Sequence, residues 1–259
     1  MSLIVATAQD GVGCIALNCP EKHNALSEQL VGEILAALAR FRQDGLRAVI
    51  LRSQPGAPVW SAGHDVAELP TDGRDPLGWD DPLPHLIREI ENFPMPVIAM
   101  IEGTVWGGAC EVALACDLIV TSPATTFAIT PAKLGVPYNV AGMVTFVNSA
   151  SLPIVKEMAF TAAPMKATRA EQLGMINYVV PVPELEAFTL RLAGQIVANA
   201  PLSIAVMKEQ LRILAGARPM SPQGFERVQG LRRVVYDSED YREGIRAFKE
   251  KRKPVFVGK

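Results

Sequence analysis

The chain has 259 residues, of which 49% are hydrophobic and 20% are charged. This composition supplies one large folded core and excludes disordered and fibrous proteins. The formal net charge of −2 and the isoelectric point near 6.0 provide no basic field for nucleic acid, so we expect a small-molecule ligand.

The first residues, Met1-Ser-Leu-Ile-Val-Ala, carry no basic leader and continue directly into a predicted strand. No uninterrupted apolar run reaches about 18 residues, the length that predicts a membrane span, so we expect a cytoplasmic protein without membrane contact. The cysteines lack a C-x-x-C spacing and the three histidines are scattered, which argues against a metal site and favours reduced thiols. The cysteines are Cys14, Cys19, Cys110 and Cys116.

The first elements predict an α/β fold. Residues 3–19 are predicted to form two strands about the turn at Asp10-Gly11, and Ser27 is placed to cap an amphipathic helix. Strands and helices then alternate, which is typical of a parallel sheet. The predicted strands are 46–51, 96–101 and 117–121, and the predicted helices are 84–92 and 108–116.

Residues 70–83 form a long polar loop rich in proline and glycine, which predicts a lid or a mobile excursion. Trp79 within it would either cap a ligand or pack onto its own scaffold.

The second half is predicted to be helical. Thr168-Arg-Ala-Glu171 matches a capping box, and Gly174 is placed to end that helix. Asn199-Ala-Pro201 predicts a joint between a core of residues 1–200 and a helical domain of residues 201–259. We expect three helices in that domain, at 202–215, 221–234 and 238–250.

Two small-residue turns carry the strongest functional signal: Ser61-Ala62-Gly63-His64-Asp65, and the turn ending in Gly107-Gly108. Each can bring a backbone N–H close to a bound oxygen without an intervening side chain. Either turn alone is more often an ordinary loop. Because each follows a strand of the predicted sheet, both would meet at one sheet edge, and we expect an oxyanion hole there.

Several motifs occur in the order found in the crotonase superfamily, which the chain resembles over nearly its whole length. They are Asn24–Leu26, Ser61–Asp65, Gly107–Glu111, Ala115–Leu118, Ala170–Gly174 and Phe248–Pro254. The resemblance implies a core of repeated ββα units with a C-terminal helical domain that supports trimer formation. Further segments are most similar to the methylmalonyl-CoA decarboxylase subfamily: Gly63–Pro70, Val105–Gly108, Thr130-Pro131, Leu134–Asn139 and Tyr236–Asp240.

The resemblance assigns the two hydrogen-bond donors of the oxyanion hole to the backbone N–H groups of His64 and Gly108. Such donors stabilise the thioester enolate that forms when a proton or CO₂ leaves the α-carbon. The His64 side chain is a weaker candidate for a general base, because the sequence shows no group that would orient it.

Hydratases of the superfamily use two glutamates to activate water, and this chain matches only one. Glu111 stands at the first position, either as a catalytic group or as a favourable charge on the first helical turn. Pro131 occupies the second position, which disfavours hydration. Thr130 and Tyr138 are neutral donors for a departing carboxylate; the alternative is that Thr130 caps a turn and Tyr138 packs as an aromatic.

The coenzyme A portion of the substrate is assigned by the same resemblance. Lys251 in the basic segment Lys251-Arg-Lys253 would contact coenzyme A bound to a neighbouring subunit, although a charge run is usually a solvated face. The remaining predicted substrate-binding residues are Ala25, Ala62, Gly63, His64, Asp65, Val66, Gly107, Gly108 and Thr130.

These observations predict a decarboxylase that converts methylmalonyl-CoA to propionyl-CoA with no cofactor and no metal, coenzyme A being part of the substrate. We expect a homo-oligomer, either a trimer or a dimer of trimers. Two other functions stay open: an enoyl-CoA hydratase or isomerase that uses Glu111 alone, and a non-catalytic acyl-CoA binding protein. A dinucleotide enzyme and a serine hydrolase are disfavoured because neither G-x-G-x-x-G nor G-x-S-x-G occurs in the required context.

Overall fold

A computed structural model describes residues 2–70 and 72–259. Strands and helices alternate through the first two thirds, and helices follow. The strands are β1 (Ile4–Gln9), β2 (Val12–Leu17), β3 (Ala48–Ser53), β4 (Val59–Ser61), β5 (Val97–Ile101), β6 (Thr104–Trp106), β7 (Leu118–Thr121), β8 (Thr126–Ala128), β9 (Met165–Lys166) and β10 (Tyr178–Val179). The helices are α1 (Glu28–Gln43), α2 (Pro82–Asn92), α3 (Gly108–Ala115), α4 (Val140–Ser149), α5 (Leu152–Thr161), α6 (Ala167–Gln172), α7 (Val182–Ala198), α8 (Pro201–Gly216), α9 (Pro222–Tyr236) and α10 (Glu239–Lys249).

A six-stranded sheet forms the centre of the fold, in the order β1-β2-β3-β5-β7-β10. The β1–β2 hairpin is antiparallel, and every later pairing is parallel. All residues of β3 and β5 are buried, as expected for central strands that are covered on both faces. The predicted α/β class with a parallel sheet is therefore confirmed.

A second sheet of short strands, in the order β4-β6-β8-β9, stands beside the first. Strands β4, β6 and β8 pair in parallel, and each follows one strand of the large sheet along the chain. The result is the repeated ββα pattern that the resemblance implied. The expectation that the strands at 46–51 and 96–101 lead directly into the two small-residue turns was wrong, because β4 and β6 intervene.

Packing on the two faces of the large sheet uses different helices. One extended apolar core joins a sheet face to α1 and α2 and continues through α3 to α5. The other face is covered by α7, which contributes Leu185 and Ala193. A third, small cluster joins the C-terminal helices to the loops after β4 and β8; it contains Val66, Leu69, Val136, Tyr236, Tyr241 and Ile245.

Most predicted helix ends are confirmed, and one is wrong. The Ser27 hydroxyl accepts a hydrogen bond from the Leu30 N–H and caps α1. Helix α6 begins at Ala167, so the predicted capping box at Thr168 does not form. The Glu171 carboxylate instead accepts a hydrogen bond from the Val179 N–H at 2.9 Å and so holds β10. Gly174 follows α6 with a φ of +70°, as a C-terminal glycine requires.

Helices α7 and α8 meet at a bend of 105°, at the joint that the sequence predicts. Helix α8 has no buried residue, and Lys208 ties it to the core by donating to the Asp117 carboxylate at 2.6 Å. Within the described part of the chain, no single helix is long and apolar enough to cross a membrane; α7 and α8 satisfy that test only when they are counted together.

Candidate active site

A cavity of about 640 Å³ lies where the loops after β4, β6 and β8 converge. Nine of the predicted site residues line it, although they come from separate parts of the sequence. They are Ala25, Ala62, His64, Asp65, Val66, Gly107, Gly108, Thr130 and Tyr138. The fold therefore brings most of the predicted site together.

The two small-residue turns are in direct backbone contact. Gly63 has a φ of +86°, and a Cβ atom on it would lie 2.5 Å from the Trp106 carbonyl oxygen and 2.8 Å from the Gly108 nitrogen. Only glycine permits this approach without displacing backbone. A Cβ atom on Gly108 would in turn lie 3.7 Å from the His64 nitrogen. The amide nitrogens of His64 and Gly108 therefore lie close together at the cavity, which is consistent with the predicted oxyanion hole.

Neighbouring hydrogen bonds fix the first turn. The Leu26 N–H donates to the Gly63 carbonyl at 2.8 Å, and the Ser61 hydroxyl donates to the Asn24 carbonyl at 2.7 Å. The Asn24 side chain also bridges the Cys19 N–H and the Trp60 carbonyl. These contacts explain why the Asn24–Leu26 and Ser61–Asp65 motifs occur together.

The second turn is fixed by β8 and begins helix α3. The Gly107 N–H donates to the Ala128 carbonyl at 2.8 Å, and Gly107 adopts a φ of +56°. Gly108 is then the first residue of α3, so its amide is one of the unpaired N–H groups of a helix N-terminus. The positive end of the helix dipole acts at the same point.

The His64 imidazole has an orienting partner that the sequence did not show. Its Nδ1 lies 3.0 Å from the Asp65 carbonyl oxygen, which can only accept, so Nδ1 carries the proton. Asp65 itself is occupied: its carboxylate accepts from the Ala67 N–H at 3.0 Å and pairs with Lys22 at 3.1 Å. Asp65 thus shapes the cavity wall.

Thr130 lies against the second turn. A Cβ atom on Gly107 would be 3.1 Å from the Thr130 Oγ1, which places this hydroxyl beside the oxyanion hole. Thr130 precedes a 3₁₀ turn at Pro131–Leu134, yet its side chain makes no capping hydrogen bond. Thr130 therefore stands at the N-cap position, and its carbonyl accepts from the Lys133 N–H at 2.9 Å, but its hydroxyl does not cap the turn.

Tyr138 combines both interpretations made from the sequence. Its ring packs edge-on against Phe146, with centroids 5.0 Å apart. Its hydroxyl is buried and, among residues 2–70 and 72–259, has no hydrogen-bond partner. Burial, together with the nearby Glu111, raises the pKa of Tyr138 well above its usual value, so the hydroxyl keeps its proton and stays a donor. An unpaired buried donor costs stability, which favours a role toward a ligand.

Glu111 lies beside the cavity and does not line it. Its side chain is buried in α3, and a Cβ atom on Gly142 would fall 2.9 Å from its Oε1 and 2.9 Å from the Tyr138 Cδ1. Burial first, and then the charge of Glu91, raises the pKa of Glu111 to about 8. A raised pKa favours the protonated carboxyl near neutral pH, and both interpretations of Glu111, as a catalytic group and as a charge on the first turn of α3, stay predictions.

Comparison with known proteins agrees with this geometry. A model of the enoyl-CoA hydratase/isomerase family matches residues 7–259. The chain belongs to that family. Methylmalonyl-CoA decarboxylase of Escherichia coli (strain K12) is 51% identical over 247 residues, covering 95% of each chain. Carnitinyl-CoA dehydratase of Escherichia coli O157:H7 is 34% identical over 252 residues, covering 95% of this chain and 94% of that one.

Solved structures show the same relationship. A crystal structure of methylmalonyl-CoA decarboxylase complexed with 2S-carboxypropyl-CoA is 49% identical, with a TM-score of 0.98 over 100% of this chain and 99% of that one. A complex of methylmalonyl-CoA decarboxylase with 2-nitronate-propionyl-CoA gives 49% identity and a TM-score of 0.98, covering 99% of both chains. The crotonase-like fold of this family member is thereby established.

Two further expectations have different outcomes. Lys251 lies outside the lining of this chain's cavity, and its contact with a neighbouring subunit stays a prediction. Trp79 does not cap the cavity: it is 72% exposed and stacks under Arg88, whose guanidinium lies 3.9 Å from the ring centroid. Of the two interpretations of Trp79, packing onto its own scaffold is the one that the structure supports.

Several lining residues were not identified from the sequence. They are hydrophobic or basic side chains in loops and helix ends, where no local pattern distinguishes a cavity wall from ordinary packing: Lys22, Pro76, Leu77, Leu83, Trp106, Lys133, Val136 and Phe248. Three of them carried a usable signal, because Trp106, Val136 and Phe248 lie within the motif segments Val105–Gly108, Leu134–Asn139 and Phe248–Pro254. Among the residues that the structure describes, no three His, Cys, Asp or Glu side chains are grouped to hold a metal ion.

The raised pKa of Glu111 predicts a specific dependence of stability on pH. The ordinary value of 4.5 applies to the unfolded chain, and the folded value is about 8. The folded state therefore binds more protons between these values, so the free energy of unfolding is highest below about pH 4.5 with respect to this group and falls as the pH rises through about 8. Glu111→Gln should remove this contribution.

Urea unfolding of the parent and of Glu111→Gln from about pH 6 to about pH 9 measures this contribution to the free energy of unfolding. The free energy of unfolding of the variant should increase relative to that of the parent as the pH rises. Glu157→Gln, at an exposed ion pair with Arg169, is the control. Parallel curves for the parent and Glu111→Gln would show that Glu111 titrates normally.

Proposed function

We propose that this chain decarboxylates methylmalonyl-CoA to propionyl-CoA and CO₂. The bond between the α-carbon and the carboxylate breaks, its electron pair enters the thioester enolate, and a proton then adds to the α-carbon. The observation that carries the proposal is a single cavity lined by His64, Gly108, Thr130 and Tyr138, which supply two backbone amides and two neutral hydroxyls as hydrogen-bond donors.

Enolate stabilisation is the main task of such a catalyst, because the charge that develops on the thioester oxygen is the highest-energy feature of the reaction. Each preorganised N–H donor contributes roughly 3–4 kcal/mol toward the transition state. The contact between Gly63 and Gly108 preorganises both donors before substrate arrives. No reorganisation is then needed during the reaction.

Neutral hydroxyls suit the carboxylate that departs. A lysine or arginine would stabilise the charged ground state and so oppose its loss. Thr130 and Tyr138 donate without adding positive charge, and the protonated Glu111 next to Tyr138 adds no negative charge at neutral pH. This environment orients the carboxylate while leaving its charge weakly compensated.

Hydration is less well supported. Splitting water requires an acid and a base in contact with it, and each missing group costs a factor of order 10² or more. Pro131 lines the cavity at the position where a second glutamate would be required, and Glu111 is absent from the lining. An enoyl-CoA hydratase or isomerase is therefore the second candidate, and a non-catalytic acyl-CoA binder the third.

The coenzyme A portion would extend along the Ala25, Ala62 and Val66 side of the cavity. Lys22 and Lys133 also line the cavity with exposed side chains, which supports a place for the phosphates. We keep Lys251 as a contact to coenzyme A of a neighbouring subunit. No cofactor or metal is required by the chemistry above, and a cytoplasmic location is supported by four cysteines that are all free.

Removing one oxyanion donor should abolish most turnover. Gly108→Pro deletes the donor N–H and should lower kcat by roughly 10²- to 10³-fold. Gly108→Ala keeps the N–H and only displaces Leu83, whose Cδ2 would lie 2.5 Å from the new Cβ, so its loss should be smaller. His64→Ala also keeps its N–H and should stay within about tenfold of the parent. Equal losses in all three folded variants would contradict the assignment of the backbone amides.

Specificity constants for methylmalonyl-CoA and crotonyl-CoA, measured on one preparation, test the reaction. Decarboxylation should proceed without added biotin, metal or nucleotide, and crotonyl-CoA should be hydrated slowly or not at all. Thr130→Val and Tyr138→Phe should each lower the specificity constant for methylmalonyl-CoA by an amount equivalent to roughly 1–3 kcal/mol. Crotonyl-CoA hydration faster than decarboxylation would favour the hydratase.

We also propose a trimer or a dimer of trimers. Helix α8 exposes apolar side chains that a soluble monomer rarely presents together, including Leu202 at 80% and Leu214 at 71% exposure. Sedimentation velocity should give a trimer or a multiple of it. Leu211→Glu, on the same exposed helix, should shift the distribution to smaller species, and Leu190→Glu, an exposed leucine on α7, is the control. A parent that sediments as a monomer would contradict the proposal.

A further inference from the structure

A partly buried polar cluster joins helix α9 to the loop before α2: Arg232 is buried, and the Asp75 side chain is 31% exposed. The Arg232 guanidinium, only 5% exposed, forms a two-pronged ion pair with the Asp75 carboxylate at 2.6 and 2.7 Å. Arg232 also donates to the Tyr236 hydroxyl at 2.8 Å. That hydroxyl donates onward to the Pro137 carbonyl at 3.3 Å. The cluster therefore ends on the peptide bond between Pro137 and Tyr138.

Both ends of the cluster adjoin the cavity wall. Asp75 immediately precedes Pro76 and Leu77, which line the cavity, and Pro137 immediately precedes Tyr138. Asn139 makes a second link between these two walls, since its side chain donates to the Leu77 carbonyl at 3.0 Å. The residues in contact are far apart in sequence, so the long loop and the Tyr138 segment depend on α9 for their relative placement.

A cluster of this kind is an expensive means of stabilising a fold. Removing Arg232 from water costs much of what its ion pair with the partly exposed Asp75 returns, so replacement of such a pair by apolar residues is often close to neutral. The cluster instead restricts orientation. Two-pronged hydrogen bonds from a planar guanidinium hold their partner groups in a narrower range of orientations than apolar packing does. One such group is the carbonyl next to Tyr138.

We propose that Arg232 and Tyr236, with Asp75, are positioning residues that fix the Tyr138 hydroxyl toward the carboxylate of the substrate. This inference rests on the proposed function, since it gives Tyr138 the departing carboxylate. Without the cluster the Pro137–Tyr138 peptide is held by fewer contacts, and the Tyr138 hydroxyl samples directions that do not meet the substrate. The chemical step suffers, whereas binding of the coenzyme A portion does not.

The test is a double-mutant cycle of Tyr236→Phe and Tyr138→Phe, with kcat and KM measured for methylmalonyl-CoA. Tyr236→Phe keeps the ring and deletes only the hydroxyl. It should lower kcat roughly three- to tenfold in the parent and less than about twofold in the Tyr138→Phe background. Binding of propionyl-CoA, which lacks the carboxylate, should change less than about twofold.

Tyr241→Phe is the matched control. Tyr241 is a buried tyrosine of the same apolar cluster, with its ring 5.4 Å from that of Tyr236, but its hydroxyl donates to the Pro70 carbonyl at 2.8 Å. This variant should lose free energy of unfolding comparably and keep kcat within about twofold.

The outcomes separate the two proposals. A parent chain that does not decarboxylate methylmalonyl-CoA refutes the proposed function, and this assignment with it. An active parent whose kcat falls equally in Tyr236→Phe and Tyr241→Phe refutes the positioning role alone. Additive losses in the double variant, or weaker propionyl-CoA binding matching the fall in kcat, also refute it, because the cluster would then act by general destabilisation.

Discussion

The site depends on one close backbone contact, the approach of Gly63 to the Trp106–Gly108 segment. A side chain on Gly63 would lie 2.5 Å from a carbonyl oxygen and 2.8 Å from the amide nitrogen of Gly108, so the two turns touch only because that position is glycine. The small sheet supports this contact, because β4 and β6 pair in parallel and place the turns that follow them side by side. Without it, the amides of His64 and Gly108 would not lie close together at the cavity.

Two buried side chains at the cavity, Glu111 and Tyr138, favour their uncharged forms. Burial, with the charge of Glu91, raises the pKa of Glu111 to about 8; the pKa of Tyr138 rises mainly for the same reason, loss of water. Both groups are therefore mainly neutral near pH 7, and the donors nearest to the two glycine turns are backbone amides and the Thr130 hydroxyl, while Lys22 and Lys133 line another part of the cavity. Such a site binds an anion through oriented hydrogen bonds more than through an opposite charge. This suits a reaction in which a carboxylate must lose its charge.

The C-terminal helices contribute to this site within their own chain. Phe248 of α10 lines the cavity, and α9 reaches the walls through Arg232 and Tyr236. The predicted boundary at residue 200 divides the sequence, but in space α9 and α10 pack against the loops that line the cavity. Helix α8 is different: it presents its apolar side chains outward and is available for assembly.

Local sequence determined the order of most elements, because caps, turns and apolar periodicity act over a few residues: Ser27 caps α1, Gly174 ends α6, and the buried strands are continuous apolar runs. It also placed the two glycine turns of the site, although what requires Gly63 is a tertiary contact with the Trp106–Gly108 segment. The two- and three-residue strands were missed because they are too short to show a period. Only the tertiary structure decided that Nδ1 of His64 faces the Asp65 carbonyl, that Glu111 is withdrawn from the cavity, and that Arg232 meets Asp75 across 157 residues. Such contacts are selected by packing in three dimensions, which no local pattern encodes.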